Sequence, residues 1–377
     1  VLTTHFDYHS IEGRMTKLDI LGHDDPTIIR MLEDLTGIDA KTIPFDDPRT
    51  LSLFSSTEGI GLTPEQLQGD QVASLAVPEC GTKFVRGMLE DSRPQTFSDL
   101  VRISGFSHGT NVWLDNAQDL IKNGTCKLNE AISTRDDVMN FLIHRGMDRK
   151  HSFFVMENVR KGKGIEKRNK QGQATTEFEA EMRENNIPEW FIESCKKISY
   201  LFPRAHAVAY VMMAFRIAWF KVYHPLAFYA AYFSIRAKAF DLRIMTGDLK
   251  TQMTEFNRIK ALDRGASPKD KDLMSALEVS MEMYQRGYRF VNVDIQHSEA
   301  RRFSIKDGAL LPPFLAIESL GETVADAIVA EREERPFTSL KDLQRRCKVS
   351  NTIIDLMKEL KCCGELPEDE QMSLFGA

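Results

Sequence analysis

Hydrophobic positions along this chain are concentrated in one run, Tyr200 to Phe233, which reads YLFPRAHAVAYVMMAFRIAWFKVYHPLAFYAAYF. Between Ala205 and Tyr223 nearly every position is apolar or aromatic. A helix that is apolar all round belongs in the middle of a domain. The run is also about long enough to span a bilayer. Arg216 and Lys221 interrupt it, however, His206 and His224 flank it, and no second span follows, so a buried central helix is the better reading. Pro225 pushes the residue before it out of the helical region and is suited to open a second helix, Leu226 to Ala237.

Elsewhere the pattern is more broken. Residues 1–22 alternate in the manner of a strand, with Asp19 set between Leu18 and Ile20. Asp25-Pro26-Thr27 reads as a cap and first helical residue, and Gly37 ends that helix. Residues 38–110 predict short helices joined by loops. They include a capping box at Thr63-Pro64-Glu65-Gln66, a helix from Thr96 to Ser104 stopped by Gly105, and a loop from Ser104 to Thr110. Thr134 starts a helix through Arg145, Pro188 another, and Ser267-Pro268 a third that runs to Gly287. Arg289 to Asp294 alternates as a strand, and Phe303 to Leu311 forms a hairpin on an Asp307-Gly308 turn. The predicted fold is mainly α with small β parts.

With 377 residues the chain is long enough for two or three domains. A hydrophobic share of 42% and a charged share of 28% are ordinary for a soluble protein. The net charge of −6 means that nucleic-acid binding cannot come from overall charge and must rest on local patches. Six scattered cysteines without a CxxC pair exclude a zinc signature and a disulfide framework, and fit a reducing cytoplasm. The chain shows no signal peptide and starts at Val1, so it reads as a fragment of a longer protein.

Several stretches carry candidate chemistry. Asp19, ionised among apolar neighbours, is either paired, metal-bound or turned to solvent. The segment Ser104–Thr110 offers two glycines, hydroxyls on Ser104 and Ser107, and the His108 imidazole. It reads as a ligand-lining loop or a plain connection. Arg160, Lys161, Lys163, Lys167, Arg168 and Lys170 alternate with glycines, which suits a phosphate backbone and equally a solvated loop. Arg204 and His206 stand at the head of the apolar helix, where unpaired N–H groups favour phosphate; the bland alternatives are a surface ion pair and a core histidine. Ile317 to Ile328, followed by Pro336-Phe337-Thr338-Ser339-Leu340, has the pattern of a helix-hairpin-helix motif. Gly321 and Thr323 stand at its phosphate-facing turn, and Ser319 stands where a second glycine is usual. The end, Gln371-Met372-Ser373-Leu374-Phe375, has the form of a peptide that docks into a hydrophobic pocket.

Taken together, KLDILGHDDPT (17–27), SGFSHGT (104–110), STRDDVMNFLI (133–143), YLFPRAHAVAY (200–210), the hairpin region and QMSLF (371–375) span essentially the whole chain. In that order they resemble the C-terminal part of the replicative DNA polymerase III alpha subunit of the PolC type found in Gram-positive bacteria. The resemblance implies a C-family polymerase: end of the palm at 1–25, helical fingers at 26–287, a duplex-binding domain with the helix-hairpin-helix at 288–364, and a flexible clamp-binding tail at 365–377. It implies addition of deoxynucleotides to a primer 3′ end by two-metal phosphoryl transfer. Asp19 would be a catalytic aspartate and ligand of two Mg2+ ions shared with carboxylates outside this chain.

The same resemblance places Arg135, Arg204, His206, Ser104, Ser107 and His108 at the nucleotide. Lys161, Lys163, Gly321 and Thr323 would lie on DNA, and Gln371, Met372, Leu374 and Phe375 on the sliding clamp. Primer–template DNA, deoxynucleoside triphosphates, the sliding clamp and other replisome subunits are the implied partners, with no membrane and a cytoplasmic location. This chain alone is expected to be inactive, and no proofreading is assigned to it. The competing reading is a non-catalytic, clamp-associated DNA-binding module that uses only the hairpin and the tail.

Overall fold

The computed structural model describes residues 2–11, 13–16, 18 and 22–369. Asp19 and the tail residues Gln371, Met372, Leu374 and Phe375 lie outside the described residues. Among the described residues the fold is mostly helical, with one two-stranded antiparallel sheet, Ser304–Lys306 against Ala309–Leu311.

The apolar run forms the helix Arg204–Tyr223, followed directly by Pro225–Ala231. Its all-round hydrophobicity has a simple cause: it is shared by two cores. Ala207, Val211, Ala214, Phe215, Ala218 and Val222 belong to a core built from residues 53–222. Ile217 and Phe220 face a second core, in which the helix Asp25–Thr36 packs with Pro225–Ala231, Leu249–Ala261, Pro268–Gln285 and the sheet. A third core, residues 242–363, gathers Glu322–Glu334, Leu340–Cys347 and Asn351–Glu359.

Lys221 sits where the first two cores meet, with none of its side chain exposed. Its ammonium donates to the Ala73 carbonyl at 2.8 Å, the Leu75 carbonyl at 2.6 Å and Glu282 Oε2 at 2.8 Å. Glu282 Oε1 accepts from the Tyr229 hydroxyl at 2.7 Å, and Arg286 donates to the Lys221 carbonyl at 2.9 Å. Burial brings the Lys221 pKa down to about 8, against the opposing pull of Glu282. One buried cation thereby ties together the 73–75 loop, the central helix, its successor and the helix Pro268–Gln285.

Local signals explain most helix ends. Thr96, Thr134 and Ser267 each close a capping box with the Asp three residues on. Gly37 ends its helix at φ +71°. Asp307 and Gly308 take φ of +50° and +75°, the two left-handed residues of a tight hairpin turn.

Four expectations are corrected. The alternation of residues 1–22 does not make a strand in the described part: Tyr8–Ile11 is a short helix, and Leu2, Phe6, Met15 and Leu18 are exposed. Alternation specifies a strand only where a sheet offers a partner, and the two described strands pair with each other. Thr63–Gln66 forms turns rather than a helix, although Gln66 does accept from the Thr63 N–H at 2.9 Å. The helix begun at Thr96 runs through Gly105 to His108. Glycine is needed there for close approach, since a Cβ would lie 2.7 Å from the Ser133 carbonyl oxygen. Arg289–Asp294 makes a single bridge, Phe290 to Leu310, rather than a strand.

Removing the Lys221 ammonium strands a buried carboxylate and two carbonyls. Lys221→Ala is expected to lower stability by about 3–5 kcal/mol, read as a lower urea midpoint with unchanged slope. A midpoint close to the parent's would show that the buried pair is not what joins the two cores.

Candidate nucleotide and nucleic-acid interface

The interface is organised by a short extended segment, Ser199–Phe202, that precedes the central helix. Its backbone is tied to three other places. Ser199 N–H donates to the Thr110 carbonyl and Thr110 N–H to the Tyr200 carbonyl, both at 3.0 Å. Leu201 N–H donates to the Arg160 carbonyl at 3.3 Å, and Arg135 N–H donates to the Phe202 carbonyl at 3.1 Å. The sequence-predicted stretches around His108, Lys161, Arg135 and Arg204 are thus brought onto one seam.

Two helix starts interlock beyond it. The Arg204 N–H donates to Asp136 Oδ2 at 2.7 Å. Asp137 Oδ2 accepts from the backbone and hydroxyls of Ser133 and Thr134, while its Oδ1 faces Arg102 at 3.6 Å and Arg204 at 3.9 Å. The expectation of free N–H groups at the head of the central helix is therefore only partly met, because Asp136 already occupies one of them. The guanidiniums are less committed. The Arg204 side chain is 41% exposed, and the nearest carboxylate to its guanidinium is that distant Asp137 oxygen. Arg135, half-buried, has no side-chain hydrogen bond or ion pair among the described residues. Two weakly paired guanidiniums on interlocked helix starts suit a phosphate chain, which each can grip through two N–H groups.

Beside them stands an aromatic group. His206 stacks on Phe202 at 4.9 Å and 19° and packs on Tyr210 at 4.5 Å. Burial, then the charge of His108, holds the His206 pKa below the ordinary histidine value, so the ring is neutral near pH 7. His108 is the opposite case. Its Nδ1 lies 2.7 Å from the Ser104 carbonyl oxygen and its Nε2 lies 2.9 Å from Glu79 Oε2. Both ring nitrogens face acceptors, which favours the doubly protonated ring. The Glu79 hydrogen bond raises its pKa against the cost of burial. Ser104 is buried and Ser107 bonds back to the Ser104 carbonyl at 2.9 Å, so the two serines support His108 more than they face outward.

Sequence reasoning missed Glu79, His23 and Arg236, and treated Asp25 only as a cap. Asp25 is fully buried and opens the helix, with Asp24 at the N-cap position making no side-chain cap bond; Asp25 Oδ1 lies 3.4 Å from Arg236 and its Oδ2 lies 3.5 Å from His23 Nδ1. Burial pushes its pKa up to about 6 despite both neighbours. Glu79 occupies a left-handed backbone position, φ +64°, that no local pattern announces. A cleft of about 620 Å³ opens beside it, with Lys83, Arg86, Arg236, Lys260 and Glu278 in its walls.

The basic loop is exposed at Lys161 and Lys163. Lys161 pairs with Glu157 at 3.0 Å, whereas Lys163 has no ion-pair partner among the described residues. Gly162, at φ +67°, abuts Ser199, where a Cβ would lie 2.6 Å from the carbonyl oxygen. In the C-terminal third, Gly321 caps the helix Glu322–Glu334 and, with Thr323, is exposed. Ser319 adopts φ +65°, so the position where the motif usually has glycine does take the left-handed conformation, and serine bears the strain. Glu322, in the first turn, is held by Arg301, which also takes Asp326.

Two protein-family models match the chain. Residues 25–186 match the bacterial DNA polymerase III alpha subunit finger domain, and residues 287–371 match the helix-hairpin-helix motif. The chain is similar to the PolC-type DNA polymerase III of Caldanaerobacter subterraneus subsp. tengcongensis, 54% identical over 100% of this chain and 26% of that protein. It is also similar to that of Bacillus subtilis, 52% identical over 99% of this chain and 25% of that protein. The PolC-type enzyme of Thermotoga maritima is 53% identical over 100% of this chain and 27% of that protein. The chain thus spans about a quarter of the length of the curated relatives it matches.

The His108–Glu79 pair makes a pH prediction. Because the folded His108 pKa lies above the ordinary 6.5, the pair stabilises fully below that pH, and its contribution is lost as pH rises through the raised value. An NMR titration is expected to show His108 titrating above 6.5, and Glu79→Gln to bring it back down. A His108 midpoint unaffected by Glu79→Gln would rule the pair out as the cause. In the hairpin, Ser319→Gly is expected to stabilise by about 0.5–1 kcal/mol by relieving the left-handed serine, measured by thermal melting.

Proposed function

The chain belongs to the PolC-type DNA polymerase III family along its whole length, and on that premise we propose that it supplies the nucleotide-binding fingers and duplex contacts of a replicative DNA polymerase. On this reading residues 1–25 end the palm, 26–287 build the fingers, 288–364 bind duplex DNA, and 365–377 form the clamp-binding tail. The observation that carries it is the interlock of two helix starts, Arg135 on one and Arg204 on the other, joined through Phe202 and Asp136.

In the proposed reaction a primer 3′-hydroxyl attacks the α-phosphate of a deoxynucleoside triphosphate and pyrophosphate leaves. Asp19, with carboxylates outside this chain, would hold two Mg2+ ions, which would activate the attacking oxygen and neutralise the leaving one. Arg135 and Arg204 grip the triphosphate, and because Asp136 and Asp137 fix both helix starts, the guanidiniums are positioned before the nucleotide arrives. Neutral His206, stacked on Phe202, presents a flat face to the nucleotide or template strand. His108, whose pKa the Glu79 hydrogen bond raises and around which Ser104 and Ser107 stand, adds positive charge on the same side when protonated. Lys161 and Lys163 follow the DNA backbone, and the N–H groups at Gly321 and Thr323 meet a phosphate of the duplex. Gln371, Met372, Leu374 and Phe375 dock on the sliding clamp, and the other replisome subunits assemble around the full protein in the cytoplasm.

Steady-state extension by the full-length enzyme tests the assignment. Arg135→Ala and Arg204→Ala are each expected to raise the nucleotide KM by about 10-fold or more, as loss of a charge-assisted contact implies, with DNA affinity unchanged. Asp19→Ala is expected to abolish synthesis and leave DNA binding intact; extension at the parent rate would overturn its catalytic role. A clamp-associated DNA-binding module without catalysis would instead show no magnesium-dependent triphosphate binding and no need for either arginine.

A further inference from the structure

We propose that His23, Asp25 and Glu79 form a site for a first-row divalent cation of the zinc class, separate from the magnesium ions of nucleotide addition. One donor atom from each of the three residues lies within 4.8 Å of the other two. They come from places far apart in the sequence: the approach to the helix Asp25–Thr36 supplies His23 and Asp25, and the loop before the helix Lys83–Ser92 supplies Glu79.

The arrangement of oxygens is the main support. Each carboxylate has an outer oxygen already engaged by a base: Asp25 Oδ1 faces Arg236 at 3.4 Å, and Glu79 Oε2 bonds His108 at 2.9 Å. Each has an inner oxygen left over toward the His23 ring, Asp25 Oδ2 on the side of Nδ1, which also accepts from the Asp25 N–H at 3.2 Å, and Glu79 Oε1 on the side of Nε2. Asp25 Oδ2 is completely buried and has no hydrogen-bond partner; Glu79 Oε1 stands 3.9 Å from His23 Nε2. A buried carboxylate oxygen without a donor is costly, and a cation bound by all three groups removes that cost. His108 and Arg236 then serve as the outer partners that orient metal-binding carboxylates.

The donor set selects the ion. One imidazole nitrogen with two carboxylate oxygens suits zinc or a neighbouring first-row ion; calcium takes six to eight oxygens, which this site does not offer. Zinc bonds of about 2.0–2.2 Å set tetrahedral donors about 3.4 Å apart. The three side chains therefore need to close by roughly 1.5 Å at most, which is within reach of rotation about side-chain bonds. A water or hydroxide completes the fourth position. The effect of the ion is to clamp the start of the helix Asp25–Thr36 to the loop that presents Glu79 to His108.

The test uses the full-length polymerase stripped with chelator and reloaded by dialysis against Zn2+ alone, with bound metal counted by atomic emission. The parent is expected to hold one more zinc than His23→Ala or Glu79→Gln. Its melting temperature should rise on zinc addition, and this response should be absent in both variants. Reloading with Co2+ should give a visible absorption band without thiolate charge transfer, lost in the variants. His108→Gln, which removes only an outer partner, should weaken zinc binding by about 10–100-fold. Equal zinc content in the parent and both variants, or a parent without the cobalt band, would overturn the site. Neither result bears on the nucleotide KM of the arginine variants, so the two proposals stand or fall separately.

Discussion

A charged group at the centre of a hydrophobic protein has to be satisfied completely, and Lys221 is that group here. Its three donors are spent on Ala73, Leu75 and Glu282, and the remaining Glu282 oxygen is spent on Tyr229. Hydrophobic packing alone would let two cores slide along a smooth apolar helix, because burial is indifferent to direction. Three short hydrogen bonds, one of them also an ion pair, allow one register only. The 73–75 loop fixed by Lys221 leads within a few residues to Glu79, so the position of the loop carboxylate depends on a cation buried elsewhere.

Much of the fold could be read from periodicity and punctuation. The central helix, its break at Pro225, the capping boxes at Thr96, Thr134 and Ser267, and the Asp-Gly hairpin each follow from a local rule. The failures share a cause as well. Gly105 looks like a stop but lies inside a helix, because what demands glycine is the Ser133 carbonyl, nearly thirty residues away in sequence. The alternating N-terminal residues look like a strand, yet pairing depends on an edge that the pattern cannot name. Ser319 is a case in between: the motif names the left-handed position, and the chain fills it with a residue that resists it.

The candidate site divides the same way. Arg135, Arg204, His206 and His108 were visible because they lie in stretches whose order resembles a family. Glu79, His23 and Arg236 were not, even though His23 lies in one such stretch, since each becomes significant only when three distant segments meet. The roles also shifted. A helix start was expected to offer its dipole and free N–H groups, but Asp136 and Asp137 take up part of that capacity to fix the geometry. On the proposed reading, positive charge toward a ligand comes from the side chains of Arg135 and Arg204 instead.

The seam at Ser199–Phe202 is made almost wholly of main-chain hydrogen bonds. Such bonds do not read the side chains at their ends. The residues that would touch DNA or nucleotide on either side are therefore free to be exchanged one at a time while the frame that aligns them persists. On the proposed reading, substrate preference and spatial arrangement are specified by different atoms, so a lineage could retune the first without rebuilding the second.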